Sequence, residues 1–235
     1  MLPLTGAAIL HVITSAEPAW LDRITHWYDT EHLGERVAMP RFLSARRFVD
    51  VKDPLRSLAV YEMEDPGALE TPAYLASRTT PDASSLEMSS HFVSERAIYR
   101  QFYPETGAIV HGGAQAAGPG TGGAILNVFA TVEPGWVDDV NRWYVEEHIP
   151  QLLGIEGFLS ARRYQAVQGK YAFVTLYDLA HPDVLKSDAF KQGTKEVSAW
   201  TTRLQPHVTY HSGIFRQVHP ARGFYTVPPD KRLRE

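Results

Sequence analysis

The chain of 235 residues is long for one minimal domain and comfortable for two of about 110 residues each. With 44% hydrophobic and 21% charged residues it lies in the globular range, outside the disordered, collagenous and coiled-coil ranges. Lys+Arg 23 against Asp+Glu 27 gives a net charge of -4 with no basic run, which argues against nucleic acid as a partner, and zero cysteines exclude disulfides, thiolate metal ligands and a cysteine nucleophile.

The opening MLPLTGAAILHVITSAEP lacks the basic stretch of a signal peptide. No apolar run approaches the roughly 20 residues that span a bilayer, so a cytoplasmic protein without membrane contact is expected. Ile9 to Thr14 is a short β-branched run, and Pro18 then suits the first turn of a helix. Phe42 to Val51 alternates, Asp53-Pro54 makes a turn, and Ser57 to Met63 alternates again, which predicts a hairpin. A second helix is expected from Pro66 and a closing strand near Phe92 to Phe102, giving the order β-α-β-β-α-β.

The same order returns further along. AILHVITSAEPAWLDRITHWYDTEHL from Ala8 matches AILNVFATVEPGWVDDVNRWYVEEHI from Ala124, an offset of 116 that also carries Phe42–Phe48 onto Phe158–Tyr164 and His91 onto His207 without a gap. Identity is roughly 30%, and a unit this long reads as a duplicated domain rather than a solenoid repeat. The expected organisation is a first domain over 1–106, a Gly/Ala/Pro-rich linker over 107–122, a second domain over 123–220 and a tail over 221–235 that docks and then frays. The predicted second helix is clearer in the second copy, from Pro182 through Leu204.

This is the ferredoxin-like split βαβ order, whose sheet has helices on one face and needs cover on the other. The expected class is therefore α+β, two tandem ferredoxin-like domains forming an intramolecular dimeric α/β barrel, a pseudo-dimer within one chain, with a further homo-oligomer left open. Trp143, Tyr144, Glu147 and His148, followed by Gly157 to Tyr164 (GFLSARRY), resemble the dimeric α/β-barrel superfamily, nearest its EthD-like branch. The resemblance covers both copies. It implies the fold, and leaves open cofactor-free monooxygenases, lactone isomerases, polyketide cyclases, decarboxylases and haem enzymes.

On a helical wheel of about 100° per residue, Trp20, Ile24, Trp27 and Tyr28 form an apolar stripe. Glu31 falls within it and His32 at its edge. Trp136, Val140, Trp143, Tyr144, Glu147 and His148 repeat the pattern. A carboxylate there calls for a partner, and Arg46/Arg47 or Arg162/Arg163 offer one, since adjacent strand residues point to opposite faces. One reading is a structural Glu–Arg pair with the histidine closing the helix end. The other places His32 or His148 at the mouth of a pocket as general acid or base, with the arginines holding a substrate anion. The resemblance to the EthD-like branch also implies that this histidine lines the pocket.

Trp27, Tyr28, Trp143 and Tyr144 would line a cleft for a flat small molecule, or fill a core. Copy differences such as His11/Asn127, His26/Arg142, Ser94/Tyr210 and Glu95/His211 predict unlike pockets. No metal-binding, phosphate-loop or serine-hydrolase motif occurs. The leading expectation is a cofactor-free, metal-free lyase or isomerase moving a proton on an aromatic, lactone or enolisable small-molecule substrate. His148 or His32 moves the proton, Glu147 or Glu31 orients it, and Arg162, Arg163, Arg46 and Arg47 bind the anionic part. The alternatives are a non-catalytic hydrophobic-ligand-binding or stress-associated module, and a cofactor-free monooxygenase; haem is a minor option.

Overall fold

The computed structural model describes residues 4–105, the backbone of 110–111, and 122–233; the expected linker over 107–122 otherwise lies outside the described residues apart from Gly122. The chain divides into two compact units, Met1–Arg100 with Val167–Gly169 and Gln217–Glu235, and Gln101–Ala166 with Lys170–Arg216.

In the first unit β1 (Ala8–Ala16) lies between β3 (Arg56–Met63) and β4 (Phe92–Tyr103), and β2 (Phe42–Asp50) pairs with β3. All these pairings are antiparallel. The hairpin turn forms where Asp53 accepts hydrogen bonds from Leu55 and Arg56. In the second unit β6 (Ala124–Val132) lies between β8 (Phe173–Leu179) and β9 (Val208–His219), β7 (Phe158–Gln168) pairs with β8, and the short β5 (Val110–His111) adds to β7. Ala8 opposite Arg100 and Ala124 opposite Arg216 show that the offset of the sequence match is also the register of the sheets.

Helix α1 (Leu21–Trp27) passes through a π-helical turn (Tyr28–His32) into α2 (Leu33–Ala38). Its counterpart α5 (Val137–Trp143) passes through Tyr144–His148 into α6 (Ile149–Leu153). A π turn closes i to i+5 and inserts one residue into the helical repeat. Burial records the insertion: Ile24, Trp27 and Tyr28 are buried at ordinary spacing, and the next buried residue is Leu33, five positions on. These side chains pack with Leu10, Ala45, Tyr61 and Met63 of the sheet into the core of the first unit. The second core matches it around Val140, Trp143, Tyr144 and Ile149.

The second helix expected in each copy is a series of short pieces instead. A 3-10 turn (Pro66–Glu70) precedes α3 (Pro72–Thr79) and α4 (Ala83–Ser89); in the second unit Pro182–Lys186 precedes α7 (Asp188–Gly193) and α8 (Ala199–Leu204). Each α-helical piece has its own N-cap, Thr71, Asp82, Ser187 and Ser198, whose side-chain oxygens accept from the backbone N–H three residues on. Capping on that scale ends one helix and starts another.

The tail docks on the first unit. Tyr225 exchanges backbone hydrogen bonds with Ala45 at 3.0 and 2.9 Å, and the Leu233 N–H donates to the Ala38 carbonyl at 2.7 Å. Arg232 donates to the carbonyls of Phe42 and Leu43. Two further pins recur: His91 stacks on Trp20 at 3.5 Å and meets Glu17 at 2.9 Å, and His207 stacks on Trp136 at 3.7 Å and meets Glu133 at 2.8 Å. Both histidines are thereby structural.

Gly157 enters β7 at φ +95, and a Cβ there would stand 2.6 Å from Val184 Cγ2. Gly157→Ala is expected to lower the unfolding free energy by about 2 kcal/mol, through the left-handed backbone and the clash together. Urea denaturation checks this, and an unchanged midpoint contradicts it.

Candidate functional sites

In each unit a cavity lies between the first helix and the sheet. In the first, of ≈ 230 Å³, Trp27, Tyr28, His32, Tyr61 and Phe92 form the aromatic wall. In the second, of ≈ 340 Å³, Trp143, Tyr144, His148 and Tyr210 do so beside Val128, Leu204 and Val208.

The π turn brings the histidines there. With one residue added to the turn, the residue stacked over the tryptophan is the fifth after it: the His32 ring lies 4.3 Å from that of Trp27, and the His148 ring 4.4 Å from that of Trp143. Desolvation, reinforced by Arg36 and Arg78 against an opposing Asp82, lowers the His32 pKa to about 3. Desolvation and Arg163, against Glu147, lower that of His148 to about 4. Both imidazoles are neutral at physiological pH, and His32 Nδ1 has no hydrogen-bond partner.

The glutamates do not meet the arginines. Glu31 is exposed and accepts from Ser84 at 3.0 Å. Glu147 accepts from the Trp143 indole N–H at 2.9 Å, from Ser198 at 2.5 Å and from Thr201 at 3.0 Å. Against desolvation, which raises it, the hydrogen bonds from Ser198, Trp143 and Thr201 hold this carboxyl below its ordinary pKa. The wheel misplaced both glutamates because it assumed an uninterrupted α-helix. Glu147 instead fixes the indole on which His148 stacks.

Arg46, Arg47, Arg162 and Arg163 are all buried, at 1%, 3%, 0% and 0% exposure, and none lines either cavity. Arg47 makes a two-pronged ion pair with Asp29, with both N–O distances 2.7 Å. Arg46 packs its guanidinium over Phe48 and Phe224, and Arg162 over Tyr164. Arg163 lies 3.7 Å above the Tyr144 ring and donates to Asn141 Oδ1 at 3.0 Å. Arg47 and Arg163, packed on Tyr28 and Tyr144, back the cavity walls from behind. Tyr28, which Arg47 and Arg36 partly offset, is pushed up to about 12 by burial. Tyr144 and Tyr210 are likewise raised, so the phenols stay protonated.

Sequence reasoning passed over Arg36, Arg78 and Arg96, which do line the first cavity. The usable signal was positional: Arg36 follows His32 by one helical turn, and Arg96 shares a strand face with Ser94. Tyr210 and Ser94, flagged as a copy difference, line the second and first cavities respectively. Among the described residues no group of three or more His, Asp or Glu could hold a metal ion, and no helix is long and apolar enough to cross a membrane.

No family model matches the chain, and no curated protein does. Solved structures do. An anthrone oxidase-like protein superposes with a TM-score of 0.63 at 11% identity, covering 93% of this chain and 94% of its own. A mutant chlorite dismutase from Candidatus Nitrospira defluvii, in complex with cyanide, gives 0.60 at 10% identity, with 92% of each chain covered. The fold is the α+β, ferredoxin-like dimeric α/β-barrel fold. At these identities the likeness is one of fold.

Proposed function

We propose that this chain is a cytoplasmic, cofactor-free small-molecule enzyme near the EthD-like branch, arisen by tandem duplication, that moves a proton on an aromatic, lactone or enolisable substrate. One observation carries the reading. In both units a π turn, a local geometry common at functional sites, sets a neutral imidazole into the wall of an aromatic cavity.

A neutral imidazole can take a proton from an acidic C–H or phenolic O–H. The same low pKa, about 3 to 4, makes the imidazole a weak base, so the proton it takes must be an activated one, as in an enolisable or phenolic substrate. The strong conjugate acid then hands it on, as an isomerase or lyase requires. Stacking on Trp27 or Trp143 fixes the ring plane, and in the second unit Glu147 fixes the indole.

With a substrate found by screening lactones and enolisable aromatics, His148→Ala or His32→Ala is expected to lower kcat/KM by about 10² or more. Full activity in both variants sinks the assignment. A ligand retained through purification without turnover would favour a binding module. Oxygen uptake with an electron-rich phenol would favour cofactor-free oxygenation, a reading supported by the aromatic wall around His148 and by the fold neighbour named anthrone oxidase-like.

A further inference from the structure

The two cavities share their tryptophan, tyrosine and histidine but differ in charge. Arg36, Arg78 and Arg96 line the first, and among the described residues no carboxylate does. At the same offset of 116 the second unit has Leu152, Thr194 and Ser212. Tyr74, whose ring lies under the guanidiniums of both Arg36 and Arg96, becomes Phe190. Four changes that converge on one cavity mark a property that one unit has and the other lacks.

Arg36 is 9% exposed, and its guanidinium donates to the Ser77 hydroxyl and meets the Met39 sulfur. Arg96 donates to the Tyr74 hydroxyl at 2.7 Å. These partners are neutral, and none of the three arginines makes an ion pair with a described carboxylate. Asp82, close enough to act on His32, spends its oxygens on the Ser85 N–H at 2.7 Å and hydroxyl at 3.1 Å. Glu35 acts on Arg36 through space without an ion pair, and a buried guanidinium whose hydrogen bonds all go to neutral groups retains an unmet demand for an anion.

We infer that the first cavity is an oxyanion site, taking a small aromatic molecule that carries a carboxylate or a phosphate, while the second takes a neutral one. The ring of the ligand meets Trp27, Tyr28 and Phe92, and its oxyanion meets Arg36, Arg78 and Arg96. Fork-shaped guanidinium donors suit both carboxylate and phosphate oxygens. This deepens the proposed function, since it rests on these cavities being ligand sites, but it requires no turnover.

The test is calorimetric titration of the full chain with 2-naphthoate and its uncharged isostere 2-naphthamide, and with inorganic phosphate as competitor. Naphthoate should bind at a site that weakens about tenfold in Arg78→Thr and in Arg96→Ser, each of which installs the residue the second unit carries. Naphthamide should show no arginine-dependent binding. Phosphate competition identifies the oxyanion, rather than the ring, as the group read by the arginines. Arg78 is exposed and Arg96 half-buried, so both variants should fold where Arg36→Leu could fail. Naphthoate binding unchanged in both variants, no binding in the millimolar range, or an amide with the same arginine dependence each overturns the inference. None of these readouts depends on His32 or His148 activity, so the site can fail while the proton-transfer reading stands, and the reverse.

Discussion

Asp29→Val is expected to destabilise the protein by about 3 kcal/mol, because it strands a buried guanidinium. Arg47 has 4% side-chain exposure and makes both of its short ionic contacts with Asp29. The second unit shows how an arginine in the same place survives without that carboxylate. Val145 stands where Asp29 does, and Arg163 is held by Asn141 and by the face of Tyr144. Thr25 occupies the position of Asn141. Adding Thr25→Asn to Asp29→Val should therefore recover a good part of the loss, by about 1–2 kcal/mol. Chemical denaturation of the two variants measures it. If Asp29→Val alone is neutral, the ion pair does not hold β2 to the helix as described.

Acid should unfold the protein early. The folded pKa values of His32, about 3, and His148, about 4, lie below the unfolded value of about 6.5. Above about pH 6.5 both states keep these imidazoles neutral, and the two groups impose no penalty. Below it the unfolded chain binds protons that the folded chain refuses, so stability falls as pH falls through the window from about 6.5 to 4. The loss is on the order of 3 kcal/mol per histidine by about pH 4, a large share of ordinary domain stability. His32→Phe and His148→Phe keep a ring over the tryptophan but cannot titrate. Each should flatten the decline in unfolding free energy between pH 6.5 and pH 4, and an unaltered slope would contradict the burial.

The strands and their register were legible because β-branched alternation and the gap-free offset leave little choice: Ala8 and Ala124 begin equivalent strands, and the structure pairs them with Arg100 and Arg216. Phe42–Val51 reads as a strand and ends at Asp50. The π turn was not legible. Nothing in YDTEH or YVEEH separates a turn closing at five residues from one closing at four, so the periodicity argument put glutamate where histidine belongs. The arginines misled for a related reason. Arg46-Arg47 and Arg162-Arg163 looked available, but strand alternation says only which face a side chain takes, and both faces of these strands are buried. Arg36, Arg78 and Arg96 come from a helix, a capped helical fragment and a strand, which only the fold brings to one cavity.

The measurement closest to the centre of this account is an NMR pH titration of the His32 and His148 ring nitrogens. Neutral imidazole signatures should persist in both down to about pH 5, with protonation only near 4 and below. Ordinary titration of both rings near 6.5 would place them in solvent rather than in the cavity walls, and would contradict the site built around them.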